Sequence, residues 1–181
     1  MIGEPISHID FWDVGQADCT VLNFTDGSVS IIDTGRRGSP LVDWLAERSL
    51  EIHSISLTHN DSDHAGALGS LVAAHSSRIR QIYLLRDRPI KDKKFQTLFR
   101  RAFAWEEQKH GTLQELRTGM TIWENGATKL TVVHPSLSQS VLAKSPNATS
   151  AILVLQHNYS KYTTQFQLFR GFSHKVDCWH N

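Results

Sequence analysis

The sequence predicts a layered α/β domain, and three observations predict it. Short runs of β-branched and aromatic residues recur along the chain, segments with apolar residues at helical spacing fall between them, and 181 residues with 40% hydrophobic content can build one real core. Strands alternating with helices imply layers in which each helix covers a sheet. No internal repeat or low-complexity tract competes with this reading.

Residues 6–14, 19–24 and 28–32 read as strands, with turns at Gly15 and Asp26-Gly27, which suggests an antiparallel meander. Ser39 before Pro40 forms an N-cap and N1 pair, and Leu41, Trp44 and Leu45 then recur at helical spacing, giving a helix over 40–48. Ile52 to Leu57 is a strand. From His64 the pattern turns helical, with Leu68, Leu71 and Val72 on one face. Gly66 and Gly69 weaken that helix, which makes sense if another backbone packs closely against them.

A strand follows over 79–85, then a helix over 92–110 whose buried stripe is Phe95, Leu98, Phe99, Ala102 and Phe103, stopped by Gly111. That helix should leave Lys93, Lys94, Arg100 and Arg101 wet. Further strands fall near 113–116, 120–124, 129–133, 150–157 and 164–169, around a loop rich in Ser and Pro. The expected organisation is one domain over 1–170 and an irregular tail over 171–181.

No stretch approaches the ~20 apolar residues of a membrane span, and residues 1–15 lack the basic-then-apolar order of a secretory signal, so a cytoplasmic protein is expected. Cys19 and Cys178 have no CxxC spacing and read as free thiols, Cys19 as a small buried residue. The net charge of +1 conceals a division: 1–77 carries −8, 78–101 carries +7 and 102–181 carries +2.

The chemistry concentrates at Thr58 to Leu68, THNDSDHAGAL, where His59, Asp61, Asp63 and His64 fall within six residues between a strand end and a helix start. Imidazoles and carboxylates on one turn can converge without any long-range coincidence, and the mixture suits zinc or manganese. A divalent cation there would lower the pKa of water and neutralise charge on a scissile ester. The plainer alternative is a polar turn that caps the following helix through Asp61 or Ser62, with incidental histidines.

VGQADCTVL at 14–22, IIDTG at 31–35 and THNDSDHAGAL at 58–68 resemble, in order and spacing, successive motifs of metallo-β-lactamase-fold hydrolases. The usual signature is His-x-His-x-Asp-His; here Asp61 holds the second position. That variant, with VGQ-x-D before it, is similar to the branch containing the extracytoplasmic domain of the DNA-uptake competence protein ComEC. The resemblance implies an αββα sandwich with one or two zinc or manganese ions at one edge. His59 and Asp61 would hold the first ion, and Asp63 and His64 the second, with Asp63 also orienting or deprotonating the attacking water. Asp18 and Asp33 would support the ligands from behind. His134, Asn147 and Ser150 match later, weaker signals of the same branch and are candidates for lining the cleft.

After 157 the resemblance fails: the Thr-Gly-Asp turn and His-His-Gly-Ser segment of the family are missing from the sequence, and His174, Asp177 and His180 match no family motif. The ligand set is therefore expected to be incomplete, holding at most one ion loosely, in a fold incomplete at its C-terminal end. The activity the resemblance implies is hydrolysis of a phosphodiester or another anionic ester, on a small-molecule or nucleic-acid substrate, and with an incomplete ligand set turnover by this chain is expected to stay near background even with added zinc or manganese. One competing reading is a non-catalytic domain that binds a partner or nucleic acid through Arg86, Arg88, Lys91 and their basic neighbours, although such residues also serve as the solvated face of a helix. A DHH-type phosphoesterase is the other, but no Asp-His-His follows in the sequence.

Overall fold

Parallel strands cannot be joined by a tight turn, so a chain that alternates β-branched runs with amphipathic segments lays its strands side by side through helical crossovers. The computed structural model describes residues 4–85, 93–108, 110–134, 150–159, 162–168 and 178–180; Lys94, Phe95, Leu98 and the residues from Asn158 onward are described by their backbone alone. The chain divides into two compact units, Ile6–Glu115 and Leu116–Asn181 with Met1–Pro5. The fold is mixed α/β, as expected.

The first unit holds β1 (Ile6–Phe11), β2 (Thr20–Phe24), β3 (Val29–Ile32), α1 (Leu41–Arg48), β4 (Ile52–Leu57), α2 (Ser62–Ala65), α3 (Leu68–His75), β5 (Gln81–Leu84), α4 (Lys93–Glu107) and β6 (Thr112–Glu115). Its six strands lie in the order of the sequence. β1, β2 and β3 form the expected antiparallel meander, and β3 to β6 are parallel, with α1, α2 and α3, and α4 as crossovers. The core gathers Val21, Ile31, Leu41, Leu45, Ile55 and Leu57 with Leu68, Leu71, Phe99 and Trp105, so sheet and helices share one apolar interior.

Several boundaries shift for identifiable reasons. The first strand stops at Phe11, not residue 14, because the Asp13 carboxylate accepts the Gly15 N–H (3.1 Å) and Gly15 turns at a φ of +72°. Pro40 has helical backbone angles and the Leu41 N–H reaches Ser39 Oγ at 3.4 Å, so Ser39 caps α1. The helix read from His64 onward breaks into α2 and α3 at Gly66. A Cβ there would lie 2.7 Å from the Arg37 nitrogen, the close backbone approach expected of this glycine. At Gly69 the expectation fails: its neighbour is the Arg101 side chain, 3.7 Å from an added Cβ.

α4 is shorter than the 92–110 expected from its periodicity. Phe99 and Ala102 are buried and Phe103 partly so, while Phe95 and Leu98 lie outside the described side chains. Trp105, missed by that stripe, is buried too; its Nε1–H donates to the Ser76 carbonyl (2.9 Å). Arg101 is exposed as expected, yet its guanidinium donates to the Gly69 carbonyl (2.8 Å) and so ties α4 to α3.

The second unit holds β7 (Thr121–Asn125), β8 (Thr128–His134), β9 (Ile152–Tyr159), β10 (Tyr162–Leu168) and β11 (Cys178–His180), an antiparallel sheet in the order β11-β10-β9-β8-β7. Leu130 pairs with Leu155 and Val132 with Leu153, all buried, so alternation along β8 and β9 gives this sheet one apolar face. β11 lies within the stretch expected to be an irregular tail.

Candidate metal centre

Strand carboxyl ends are where an α/β sheet presents its loops, and those following β3 and β4 carry Asp33 and the His59 to His64 cluster. The loop after β1 carries Asp18. Backbone hydrogen bonds stitch the three together. The Asp18 N–H donates to the Asp63 carbonyl (3.3 Å), the Gly35 N–H to the Asp18 carbonyl (2.9 Å) and the Thr34 N–H to the His64 carbonyl (2.6 Å).

Asp33 is buried and holds a left-handed φ of +58°, a region that aspartate tolerates better than most residues. Its carboxylate accepts three bonds: from the Thr58 N–H (2.8 Å), the Thr58 hydroxyl (2.5 Å) and His64 Nδ1–H (2.8 Å). A carboxylate on Nδ1 fixes the imidazole tautomer, leaving Nε2 with its lone pair for a cation. On that side, His64 Nε2 lies 3.4 Å from Asp63 Oδ2 and 3.4 Å from Asp18 Oδ2. His64 is fully buried, whereas the Asp18 and Asp63 side chains are partly exposed.

His59 is also fully buried, its ring edge-on to that of His64 with centroids 5.8 Å apart. Here the partner of Nδ1 is different: the Asp61 backbone N–H donates to it at 3.2 Å. An Nδ1 that accepts a proton cannot also donate one, so the approach of Asp61 Oδ2 to the same atom at 3.5 Å is not a hydrogen bond. Asp61 occupies the N-cap position of α2 but makes no side-chain cap bond, so the capping alternative leaves its carboxylate unexplained.

The four loop residues expected to converge thus form two pairs, His59 with Asp61 and His64 with Asp63, and Asp18 joins the second. Among the described residues, no three His, Cys, Asp or Glu side chains form a ready-made metal cluster. The His64 side nevertheless fits a cation by its chemistry. Two ligands held ~2.0–2.1 Å from a tetrahedral ion stand about 3.4 Å apart. Both partly exposed carboxylates also have room to close on the fixed nitrogen. The His59 side does not fit as it stands, because in the neutral ring its Nε2 carries the proton.

His134, at the end of β8, donates from Nδ1 to the Ser150 carbonyl (2.8 Å), so two of the expected cleft residues pair within the second unit. Asn147, His174 and Asp177 lie outside the described residues, as do Arg86, Arg88 and Lys91 of the basic stretch. The sequence reading missed Thr58, which completes the Asp33 carboxylate, and Asn60, a buried residue whose amide donates to the Leu85 carbonyl (2.5 Å) and pins the loop to the end of β5. Position was the available signal: both flank His59 at a strand end.

Beside this loop Cys19 is a buried free thiol. Burial, reinforced by the charges of Asp33 and Asp18, pushes its pKa up to about 12, which suits packing and not nucleophilic work. Among the described residues, no helix is long and apolar enough to cross a membrane.

A family model described as the metallo-beta-lactamase superfamily matches residues 12–142. Similar solved structures include a beta-lactamase from Chitinophaga pinensis (12% identity, TM-score 0.50, covering 84% of this chain and 56% of that one). BLEG-1 B3 metallo-beta-lactamase is another (19% identity, TM-score 0.53, 83% and 67%). Human tRNase Z, short form, is a third (14% identity, TM-score 0.51, 87% and 67%). The chain thus spans little more than half the length of the first of these and about two thirds of the others. No curated protein sequence matches it significantly.

Proposed function

The chain belongs to the metallo-β-lactamase superfamily, whose members include metal-dependent hydrolases, and on that premise we propose that it hydrolyses a phosphodiester or another anionic ester. The observation that carries this reading is the line from Asp33 through His64 to Asp63. It supports a cation held by His64 Nε2 and Asp63, zinc or manganese by donor type. Such a cation supplies Lewis acidity, lowering the pKa of water and offsetting negative charge on the substrate.

The chain's own residues do the rest. Asp33 keeps the His64 proton on Nδ1, and the backbone bond from Asp18 N–H holds the Asp63 turn in place. Asp63, with part of its carboxylate exposed, can accept the proton released by the attacking water. His59, its ring edge-on to that of His64, and Asp61 are the candidate second pair. Asp61 in the second motif position, with VGQ-x-D upstream, supports a resemblance to the ComEC-type branch. The relation of fold to human tRNase Z makes a nucleic-acid phosphodiester one reasonable substrate. A purely binding role through the basic stretch is the second reading, and its named residues Arg86, Arg88 and Lys91 lie outside the described residues.

The test is hydrolysis of bis(p-nitrophenyl) phosphate by the purified chain with zinc or manganese. Cation-dependent turnover that disappears in Asp63→Asn is expected. Turnover no faster than buffer with either cation, or unchanged in Asp63→Asn, would refute the proposal.

A further inference from the structure

We propose that Asp18 is a ligand in its own right, giving the cation at His64 a second carboxylate and making the site one imidazole nitrogen and two carboxylate oxygens. This rests on the reading above that a cation binds at His64 and extends it by one residue, from a different loop.

Three observations carry it. First, Asp18 Oδ2 stands at the same 3.4 Å from His64 Nε2 as Asp63 Oδ2 does, so the nitrogen faces two equivalent carboxylates. Second, the backbone of Asp18 is fixed from both directions, donating to the Asp63 carbonyl and accepting from the Gly35 N–H, so its side chain starts from a set position. Third, the Asp18 carboxylate reaches from its own loop, after β1, to a fully buried imidazole on the loop after β4.

Charge points the same way. Asp33, Asp18 and Asp63 set three carboxylates around one ring, an excess of negative charge that a divalent cation offsets. Two hard oxygens for one nitrogen also make manganese a better match than it would be for a site of imidazoles alone. With the side chains of Asp18 and Asp63 43% and 26% exposed, both can swing inward without disturbing the core.

The experiment is manganese titration of the full chain, followed by electron paramagnetic resonance, with the visible spectrum of the cobalt form as a report on the ligand set. Wild type should bind manganese, and Asp18→Asn should weaken it by more than the about 10- to 100-fold that loss of an outer partner costs. The cobalt spectrum should change while the metal-free melting temperature stays the same. Asp18→Glu, which keeps a carboxylate on a longer arm, should retain more affinity than Asp18→Asn. If Asp18→Asn binds like wild type while Asp63→Asn does not, Asp18 is no ligand and the His64 cation stands. Weaker binding with an unaltered cobalt spectrum would reduce Asp18 to a distant charge and overturn the assignment. No binding by wild type would overturn both readings.

Discussion

Replacing Asp33 separates what holds the loop from what prepares the nitrogen. In Asp33→Ala the Thr58 N–H, the Thr58 hydroxyl and His64 Nδ1–H all lose their acceptor in a buried place. Each stranded donor costs about 1–3 kcal/mol, and the hydroxyl can rotate elsewhere, so two donors set a cost of about 2–6 kcal/mol. Alanine at a φ of +58° adds about 1 kcal/mol more. Asp33→Asn is milder, because asparagine accepts the left-handed backbone and keeps one oxygen for the Thr58 N–H. Its amide N–H₂, however, faces His64 and requires Nδ1 to become an acceptor, which moves the ring proton to Nε2. Urea denaturation should show Asp33→Asn within about 2 kcal/mol of wild type and Asp33→Ala well below it. Nitrogen-15 NMR of the imidazoles should show the His64 tautomer reversed in Asp33→Asn, with manganese affinity lost. A folded Asp33→Asn protein with unaltered tautomer and affinity, or an Asp33→Ala protein within 1 kcal/mol of wild type, would refute this account of the carboxylate.

Phe99→Ala should destabilise by about 3–5 kcal/mol in urea, since the ring is fully buried in the α4 interface; a change of a few tenths would mean that its burial contributes little. Gly66→Ala would bring a Cβ within 2.7 Å of the Arg37 nitrogen, a backbone atom, and should cost about 1–3 kcal/mol. Gly69→Ala meets only the end of Arg101 at 3.7 Å and should be neutral or stabilising by up to about 1 kcal/mol, so equal effects at the two glycines would contradict the packing. The Cys19 thiol stays protonated to about pH 12 in the folded chain and ionises near its ordinary 9 when unfolded. Its contribution to stability is therefore complete below pH 9 and falls as pH rises toward 12, by about 1.4 kcal/mol per unit. Cys19→Ala should flatten that alkaline decline, and a parallel decline in both proteins would show that the thiol takes no part.

The regular elements were legible because their causes are local. The continuous buried runs of β2 and β3, the Ser39-Pro40 start of α1 and the Phe99, Ala102 and Phe103 stripe all depend on residues a few positions apart. Trp105 escaped because its burial depends on the Ser76 carbonyl and on Gly111, where a Cβ would lie 2.3 Å from its ring. Spacing picked out the cluster from His59 to His64, but its division into two pairs follows from side-chain hydrogen bonds that no periodicity records. Asp18 and Asp33 were visible as motif residues. Their different relations to His64 were not, since one approaches Nε2 and the other Nδ1.

That division also sets an order of filling. His64 is already in the form a cation needs, its Nδ1–H held by Asp33 at 2.8 Å. For His59 to bind through Nε2, its proton must move to Nδ1. That breaks the bond from the Asp61 N–H and leaves Asp61 Oδ2, now 3.5 Å away, to approach as the new acceptor. A buried backbone N–H without its acceptor costs about 1–3 kcal/mol, a penalty the His64 side does not carry. A second cation beside the first also meets its repulsion, which is appreciable at the low effective dielectric of two fully buried rings. The first equivalent of zinc should therefore shift the His64 imidazole nitrogens in NMR while those of His59 keep their protonated Nε2. The His59 signals should follow only at higher zinc, if they move at all. Simultaneous movement of both rings, or His59 responding first, would show that the hydrogen bond on Nδ1 does not govern which histidine of this loop binds.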